Sequence, residues 1–137
     1  MSEHTVSSTL LDLARSARQS AYAPYSRFQV GAALQTHDGK LFLGCNVENA
    51  AYGLCNCAER TALFSAIAAG YKPGDFSAIA VIADTPEPVT PCGSCRQVLA
   101  ELCDPATPVL LANTAGNTRQ TTVEALLPEG FRLRTQR

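Results

Sequence analysis

The sequence predicts an α/β fold, a three-layer α/β/α sandwich with a mixed five-stranded sheet. Residues Phe76 to Ala83 form an apolar run that is typical of a strand buried on both faces. Segments with helical spacing alternate with strand-like segments along most of the chain, as in layered α/β proteins. With 137 residues, 46% of them hydrophobic, the chain is expected to form one domain, 1–137, around its own core.

The first helix is predicted from about Thr5 to Ala21, and Pro24 ends it. Apolar side chains recur there at helical spacing: Val6, Leu10, Leu13, Ala14, Ala17 and Ala21. Two strands follow, Phe28 to Leu34 and Leu41 to Cys45. The turn between them, His37 to Lys40, contains an Asp-Gly pair that is typical of a β-hairpin.

Two further helices are predicted to begin at cysteine-containing segments. One follows the irregular stretch Asn46 to Asn56 and stops at Gly70. Its alanines form a small-residue face for close packing on the sheet: Ala58, Ala62, Ala66 and Ala69. The other runs from about Cys92 to Cys103, with Thr90 as the expected N-cap and Pro91 as its first residue. The remaining elements are two short strands and a helical turn, Pro108 to Ala112, Thr118 to Thr122 and Val123 to Leu127.

Charge and composition argue against two classes of partner. The net charge of −1 does not suit the basic surface by which proteins bind nucleic acid. No apolar run reaches the roughly 20 residues of a membrane-spanning helix. The polar N-terminus lacks the pattern of a signal peptide. We therefore expect a cytoplasmic protein that binds neither nucleic acid nor membrane and keeps its six cysteines as reduced thiols.

Three cysteines, Cys57, Cys92 and Cys95, are candidate ligands of one Zn²⁺ ion. Three thiolates leave the fourth tetrahedral position open, which marks a catalytic zinc site rather than a structural one. Water in that position has its pKa lowered from about 15.7 to about 7. Two alternatives remain, a redox pair formed by Cys92 and Cys95, and a closed structural site with Cys55 as the fourth ligand.

Glu59 lies two residues after Cys57 and is the candidate proton carrier, because a carboxylate beside the metal can move protons without binding it. The alternative is a capping box, in which Glu59 bonds back to an N-cap at Asn56. Arg60 is either an exposed helix residue or a hydrogen-bond donor to the thiolates. Three thiolates and one Zn²⁺ ion carry a net charge of −1, which a guanidinium beside them would neutralise.

Three residues near the predicted metal segment could bind an organic substrate. Phe28 starts an apolar strand and is a core residue by default, but in a cleft its ring could stack on a base. Asn46 and Glu48 have no local helix to cap, and they could bind sugar hydroxyls in the same cleft.

Several ordered motifs extend through nearly the whole chain. They are Pro24-Tyr25-Ser26, Phe28, Val30 to Ala33, Asp38-Gly39, Gly44, Asn46 to Ala50, Tyr52-Gly53, Cys57 to Arg60, Pro91-Cys92-Gly93 and Cys95 to Leu99. With these motifs the chain resembles the small homotetrameric cytidine deaminases that act on free nucleosides. Cys-x-Glu followed by Pro-Cys-x-x-Cys is the zinc deaminase pattern, with Cys57 in the place of histidine.

The resemblance implies a zinc enzyme that converts cytidine and deoxycytidine to uridine and deoxyuridine plus ammonia in pyrimidine salvage. It implies one Zn²⁺ per chain on the three cysteines and Glu59 as the proton shuttle. It implies base stacking on Phe28, ribose recognition by Asn46 and Glu48, and contact of the Ala58 amide with the pyrimidine carbonyl. It also implies a homotetramer in which three residues reach a neighbouring subunit's site: Ala50, Tyr52 and Phe131.

Three other functions would share parts of the pattern. A polynucleotide-editing deaminase has the same metal motif, but this chain lacks a basic face. A blasticidin-type deaminase has a similar size and zinc motif, whereas the uninterrupted Asn46 to Ala50 segment favours a nucleoside. A non-enzymatic zinc-binding module would hold the ion without a water-accessible position.

Overall fold

A mixed five-stranded sheet lies at the centre of the structure, a computed structural model that describes residues 3–133, with side chains from residue 8 onward. The elements are α1 (Glu3–Arg18), β1 (Val30–Thr36), β2 (Leu41–Cys45), a 3-10 helix (Tyr52–Leu54), α2 (Ala58–Ala68), β3 (Phe76–Ala83), α3 (Gly93–Leu102), β4 (Pro108–Asn113), β5 (Thr118–Thr122) and α4 (Val123–Leu126). The strand order is β2-β1-β3-β4-β5. The β3–β4 pair is parallel and the other three pairs are antiparallel, which confirms the predicted mixed sheet.

Helices cover both faces of the sheet, so the predicted three layers are confirmed. On one face, Leu10 and Ala14 of α1 pack against strand residues that include Ile82. On the other face, α2, α3 and α4 form the larger core cluster, in which Leu63 and Leu99 are buried. Successive residues of each strand point to opposite faces, and β3 is buried along nearly its whole length, as predicted for a central strand.

Two glycines allow helices to approach the sheet closely. A Cβ at Gly44 would lie 2.2 Å from the carbonyl oxygen of Ala58, at the start of α2. A Cβ at Gly31 would lie 2.0 Å from the carbonyl oxygen of Ala14 in α1. The alanine face of α2 is buried as predicted at three positions, but Ala69 is exposed because it caps the C-terminus of the helix. The start of α2 is therefore pressed directly against β2.

Several predicted boundaries are wrong. The α-helix ends at Arg18 rather than Ala21, because the amides of residues 19–21 donate to carbonyls three residues earlier and form turns. The side chain of Val6 lies outside the described side chains. The first strand begins at Val30 instead of Phe28, so Phe28 belongs to the preceding turn.

Among residues 3–133, no helix is long and apolar enough to span a membrane.

Candidate active site

Three cysteine sulfurs meet where α2 and α3 begin. Cys57 is the N-cap of α2, Cys92 is the N-cap of α3, and Cys95 lies in the first turn of α3. Their Sγ atoms all lie within 4.8 Å of one another, and those of Cys57 and Cys92 are 3.8 Å apart. Two residues 35 positions apart are thus brought together by the packing of two helices on the sheet.

The spacing of these sulfurs fits a zinc ion. Tetrahedral Zn–S bonds of about 2.3 Å place two sulfurs about 3.8 Å apart, as Cys57 and Cys92 are. The pKa of Cys57 is lowered to about 5, chiefly by a hydrogen bond from Cys95 and to a smaller extent by contacts with Arg60. The same hydrogen bond, together with burial, raises the pKa of Cys95. A divalent cation would take the place of the proton between these sulfurs. The residues present therefore fit one Zn²⁺ per chain.

Cys55 lies outside this group. Its Sγ accepts from the amide of Asn49 at 3.3 Å and lies 3.6 Å from the Asn49 carbonyl oxygen. The geometry therefore does not support Cys55 as a fourth ligand. A redox pair formed by Cys92 and Cys95 would not account for the third sulfur, that of Cys57, beside them.

The metal cysteines replace ordinary helix caps. Neither Cys57 nor Cys92 accepts a side-chain cap hydrogen bond, so the first amides of α2 and α3 keep their partial positive charge beside the sulfurs. Such helix ends favour thiolates over thiols. The expected caps are wrong: Thr90 and Pro91 precede α3, and the Asn56 side chain instead donates to Thr61.

Arg96 orders the loop that precedes Cys92. Its Nε donates to the Pro91 carbonyl at 2.7 Å, and a second guanidinium nitrogen donates to the Leu126 carbonyl at 2.9 Å. The loop is therefore tied to both α3 and α4. Arg96 belongs to the motif Cys95 to Leu99, but nothing in the sequence indicates this contact.

Glu59 lies in the first turn of α2 and is 4% exposed. Burial, with a smaller effect from the neighbouring Cys57 thiolate, raises the pKa of Glu59 to about 7. A carboxyl with a pKa near neutrality is well suited to accept and return protons at physiological pH. The Asn56 amide donates to the Val47 carbonyl, so Glu59 does not form the capping box considered as its alternative.

Arg60 donates from a guanidinium nitrogen to the Cys57 sulfur at 3.2 Å, and this contact raises the pKa of the arginine. Its Nε is buried and has no hydrogen-bond partner among the described residues. The guanidinium therefore neutralises part of the negative charge of the cysteine cluster.

A cleft of about 250 Å³ opens beside the cysteines. The residues that line it are Phe28, Val30, Asn46, Cys57, Ala58, Glu59, Val81, Val89, Thr90 and Cys92. Ala58 opens α2, so its N–H has no partner within the helix and can donate to a ligand. Val81, Val89 and Thr90 were not predicted as site residues. Val81 belongs to the buried central strand, and sequence periodicity does not distinguish its cleft-facing side chain from the core.

The predicted sugar-binding residues lie next to the turn that carries Phe28. Asn46 lines the cleft, and its side-chain amide also bonds the main chain of Phe28 and Val30. The Glu48 carboxylate accepts from the amides of Tyr25 and Ser26 at 3.0 and 3.1 Å. The structure therefore brings Asn46 and Phe28 into the cleft and leaves Glu48 beside it.

The residues assigned to a neighbouring subunit's site do not line the cleft of their own chain. Tyr52 is 91% exposed, Phe131 is 68% exposed, and Ala50 is exposed. Gln97 of α3 donates to the Phe131 carbonyl at 3.0 Å and fixes the segment that carries this ring.

Comparisons with known proteins give consistent matches. Residues 4–111 match the family described as "Cytidine and deoxycytidylate deaminase zinc-binding region". The cytidine deaminase of Halalkalibacterium halodurans is 57% identical over 122 residues, 89% of this chain and 91% of the relative. That of Sporosarcina psychrophila is 52% identical over 122 residues, 89% of this chain and 88% of the relative. A crystal structure of cytidine deaminase from Burkholderia pseudomallei has a TM-score of 0.90 at 60% identity, covering 96% of this chain and all of that chain.

Proposed function

The chain belongs to the cytidine deaminase family and is an enzyme that deaminates cytidine, and we propose that its substrates are the free nucleosides cytidine and deoxycytidine. The products are uridine, deoxyuridine and ammonia. The observation that carries this proposal is one cleft that joins a three-cysteine group, a buried carboxyl and an aromatic ring.

The three cysteines hold Zn²⁺, which supplies a water molecule with a pKa near 7 when it is bound. Glu59 carries the two protons of the attacking water. The first goes to N3 of the ring, and the second goes to the leaving amino group, which departs as ammonia. The Ala58 N–H donates to the pyrimidine carbonyl oxygen, and Phe28 stacks on the base. These contacts hold C4 against the nucleophile, and placement of this kind supplies much of the rate.

We expect selectivity for nucleosides over nucleotides. Glu48 lies beside the end of the cleft that would receive the sugar, and hydrogen bonds, chiefly from Ser26, lower its pKa and keep it ionised. A 5′-phosphate brought near this carboxylate would meet a like charge. Cytidine and deoxycytidine should therefore be turned over with a kcat/KM at least about 10-fold above that of cytidine monophosphate, a difference of about 1.4 kcal/mol.

The assay follows product formation from cytidine, cytidine monophosphate, single-stranded DNA and blasticidin S in parallel. Efficient turnover of the monophosphate or of DNA contradicts the free-nucleoside assignment. Preferential turnover of blasticidin S would instead favour the aminohydrolase alternative.

A homotetramer with shared sites is part of the same proposal. Tyr52, in the short 3-10 helix, and Phe131, after α4, expose large rings from which a lone subunit gains little. In a tetramer these rings, with Ala50, would complete the site of a neighbouring subunit. Sedimentation should give four chains per particle, and activity per chain should fall on dilution below the assembly threshold. A monomer with full activity contradicts this assignment.

A cytoplasmic role in pyrimidine salvage accompanies these assignments. Thiolate ligands require reduced cysteines, which the cytoplasm maintains. Cell fractionation that places the protein outside the cytoplasm would contradict this part of the proposal.

A further inference from the structure

In the turn that contains Phe28, both the N–H and the C=O of the Phe28 main chain are hydrogen-bonded to side chains. The Phe28 amide donates to the hydroxyl oxygen of Ser26 at 3.0 Å. The Phe28 carbonyl accepts from the side-chain amide of Asn46 at 2.8 Å, and the same Asn46 side chain accepts from the Val30 amide at 2.8 Å. Two side chains distant in sequence from one another therefore fix the main chain on which the ring is mounted.

The Ser26 hydroxyl is engaged in both directions. It donates to one carboxylate oxygen of Glu48 and accepts from the Phe28 amide. The other carboxylate oxygen of Glu48 accepts from the amides of Tyr25 and Ser26 at 3.0 and 3.1 Å. Hydrogen bonds to an ionised acceptor are stronger than those between neutral groups. Ser26 therefore links the charged anchor Glu48 to the main chain of Phe28.

The residue between Ser26 and Phe28 shows that this turn is forced into one conformation. Arg27 has φ +58°, in the left-handed region that non-glycine residues seldom adopt. Such a conformation is unfavourable for a non-glycine residue and persists where the surroundings dictate it. The Arg27 amide donates to the Ala23 carbonyl at 2.9 Å, and the two flanking residues are fixed by the bonds described above.

We propose that Ser26 is a positioning residue for the substrate: its hydroxyl couples Glu48 to the Phe28 amide and holds the Phe28 ring at the mouth of the cleft. The proposal rests on the stacking role of Phe28 in the proposed function. It assigns Glu48 a contact toward its own chain in addition to the contact with the sugar. Loss of the Ser26 hydroxyl removes both hydrogen bonds of the link and leaves the cysteines and Glu59 untouched.

Ser26→Ala should raise the KM for cytidine roughly 5- to 20-fold, because two hydrogen bonds of modest net strength are lost. The kcat should change by less than about twofold, because no group that reacts is altered. The inhibition constant of uridine, measured as a product inhibitor, should rise by the same factor as KM. Ser26→Thr keeps a hydroxyl and should restore most of the affinity. The matched control is Ser65→Ala, on the exposed face of α2, where the hydroxyl bonds only the Thr61 carbonyl among the contacts described.

A double-mutant cycle with Phe28→Leu separates positioning from direct contact. If Ser26 acts through the ring, Ser26→Ala should add less than about twofold to the KM of the Phe28→Leu variant. Zinc content and melting temperature are measured on every preparation. If Ser26→Ala does not fold, Ser26→Cys, which weakens both bonds in a similar volume, takes its place.

An unchanged KM in folded Ser26→Ala, or effects that add fully in the double mutant, overturns the assignment of Ser26 while the deaminase activity stands. An unchanged KM in Phe28→Leu overturns both the stacking role and the positioning of Ser26. A wild-type protein without activity on cytidine overturns the proposed function itself.

Discussion

Glu59→Gln is expected to lower kcat for cytidine by about 10⁴-fold, the upper end of what general acid–base catalysis contributes. The carboxyl is asked to carry two protons in each turnover, and an amide of nearly the same shape can carry neither. The cysteine ligands are unchanged, so zinc content should equal that of the wild type. KM should change little, because the stacking and sugar contacts remain.

The same substitution should stabilise the metal-free protein at alkaline pH. Burial raises the pKa of Glu59 from 4.5 to about 7, so the folded state binds this proton more tightly than the unfolded state does. Stability is therefore lost as pH rises from about 4.5 to about 7. The uncharged glutamine should recover on the order of 3 kcal/mol above pH 7 and nothing below pH 4.5.

Thermal unfolding of both metal-free proteins at pH 4 and pH 8 measures this difference. Equal melting temperatures of the two proteins at pH 8 would show that Glu59 is not buried as a charged group.

The kinetic prediction has its own contradicting outcome. A zinc-loaded Glu59→Gln variant with a kcat within tenfold of the wild type would show that Glu59 is a structural residue.

Cys92→Ala is expected to abolish activity together with metal binding. Two remaining thiolates hold the ion more weakly and no longer define a single open position. Zinc contributes several kcal/mol to the barrier reduction in such enzymes, so kcat should fall at least about 10³-fold. Zinc per chain, measured by elemental analysis after dialysis against a chelator, should fall from one toward zero.

Cys55→Ala is the matched control, since Cys55 bonds the Asn49 main chain and lies outside the cysteine group. It should keep both zinc and kcat. Loss of zinc in Cys55→Ala, or retention of zinc and activity in Cys92→Ala, would require a different ligand set.

Most of the fold could be predicted because local patterns determine it. β2 and β3 have the predicted bounds, since an Asp-Gly turn precedes β2 and an apolar run defines β3. β5 also has the predicted bounds, as a polar edge strand that follows a turn. The helix starts were less accurate. Preference rules favour threonine or asparagine as N-caps, but here Cys57 and Cys92 occupy those positions and keep their sulfurs free for the metal.

The metal ligands could be predicted from the sequence more completely than the contacts beside the substrate cleft. The spacing of Cys57, Cys92 and Cys95 identified them as metal ligands, because ligands at the starts of two helices occur in short sequence motifs. The contacts between Glu48 and Ser26 join residues 22 apart that lie outside the strands, on either side of the β1–β2 hairpin, where no periodicity reports on pairing. The proposed roles of Tyr52 and Phe131 would involve a second subunit and do not follow from the contacts of one chain.

The central claim is that a zinc ion on Cys57, Cys92 and Cys95 and the carboxyl of Glu59 together deaminate cytidine. The most direct test is to strip the wild-type protein of metal, add Zn²⁺ in known amounts, and follow uridine formation from cytidine by absorbance. Activity should be absent without metal, rise linearly with added zinc and reach a plateau at one ion per chain. Full activity in the metal-free protein, or no uridine formed at one zinc per chain, would contradict the account.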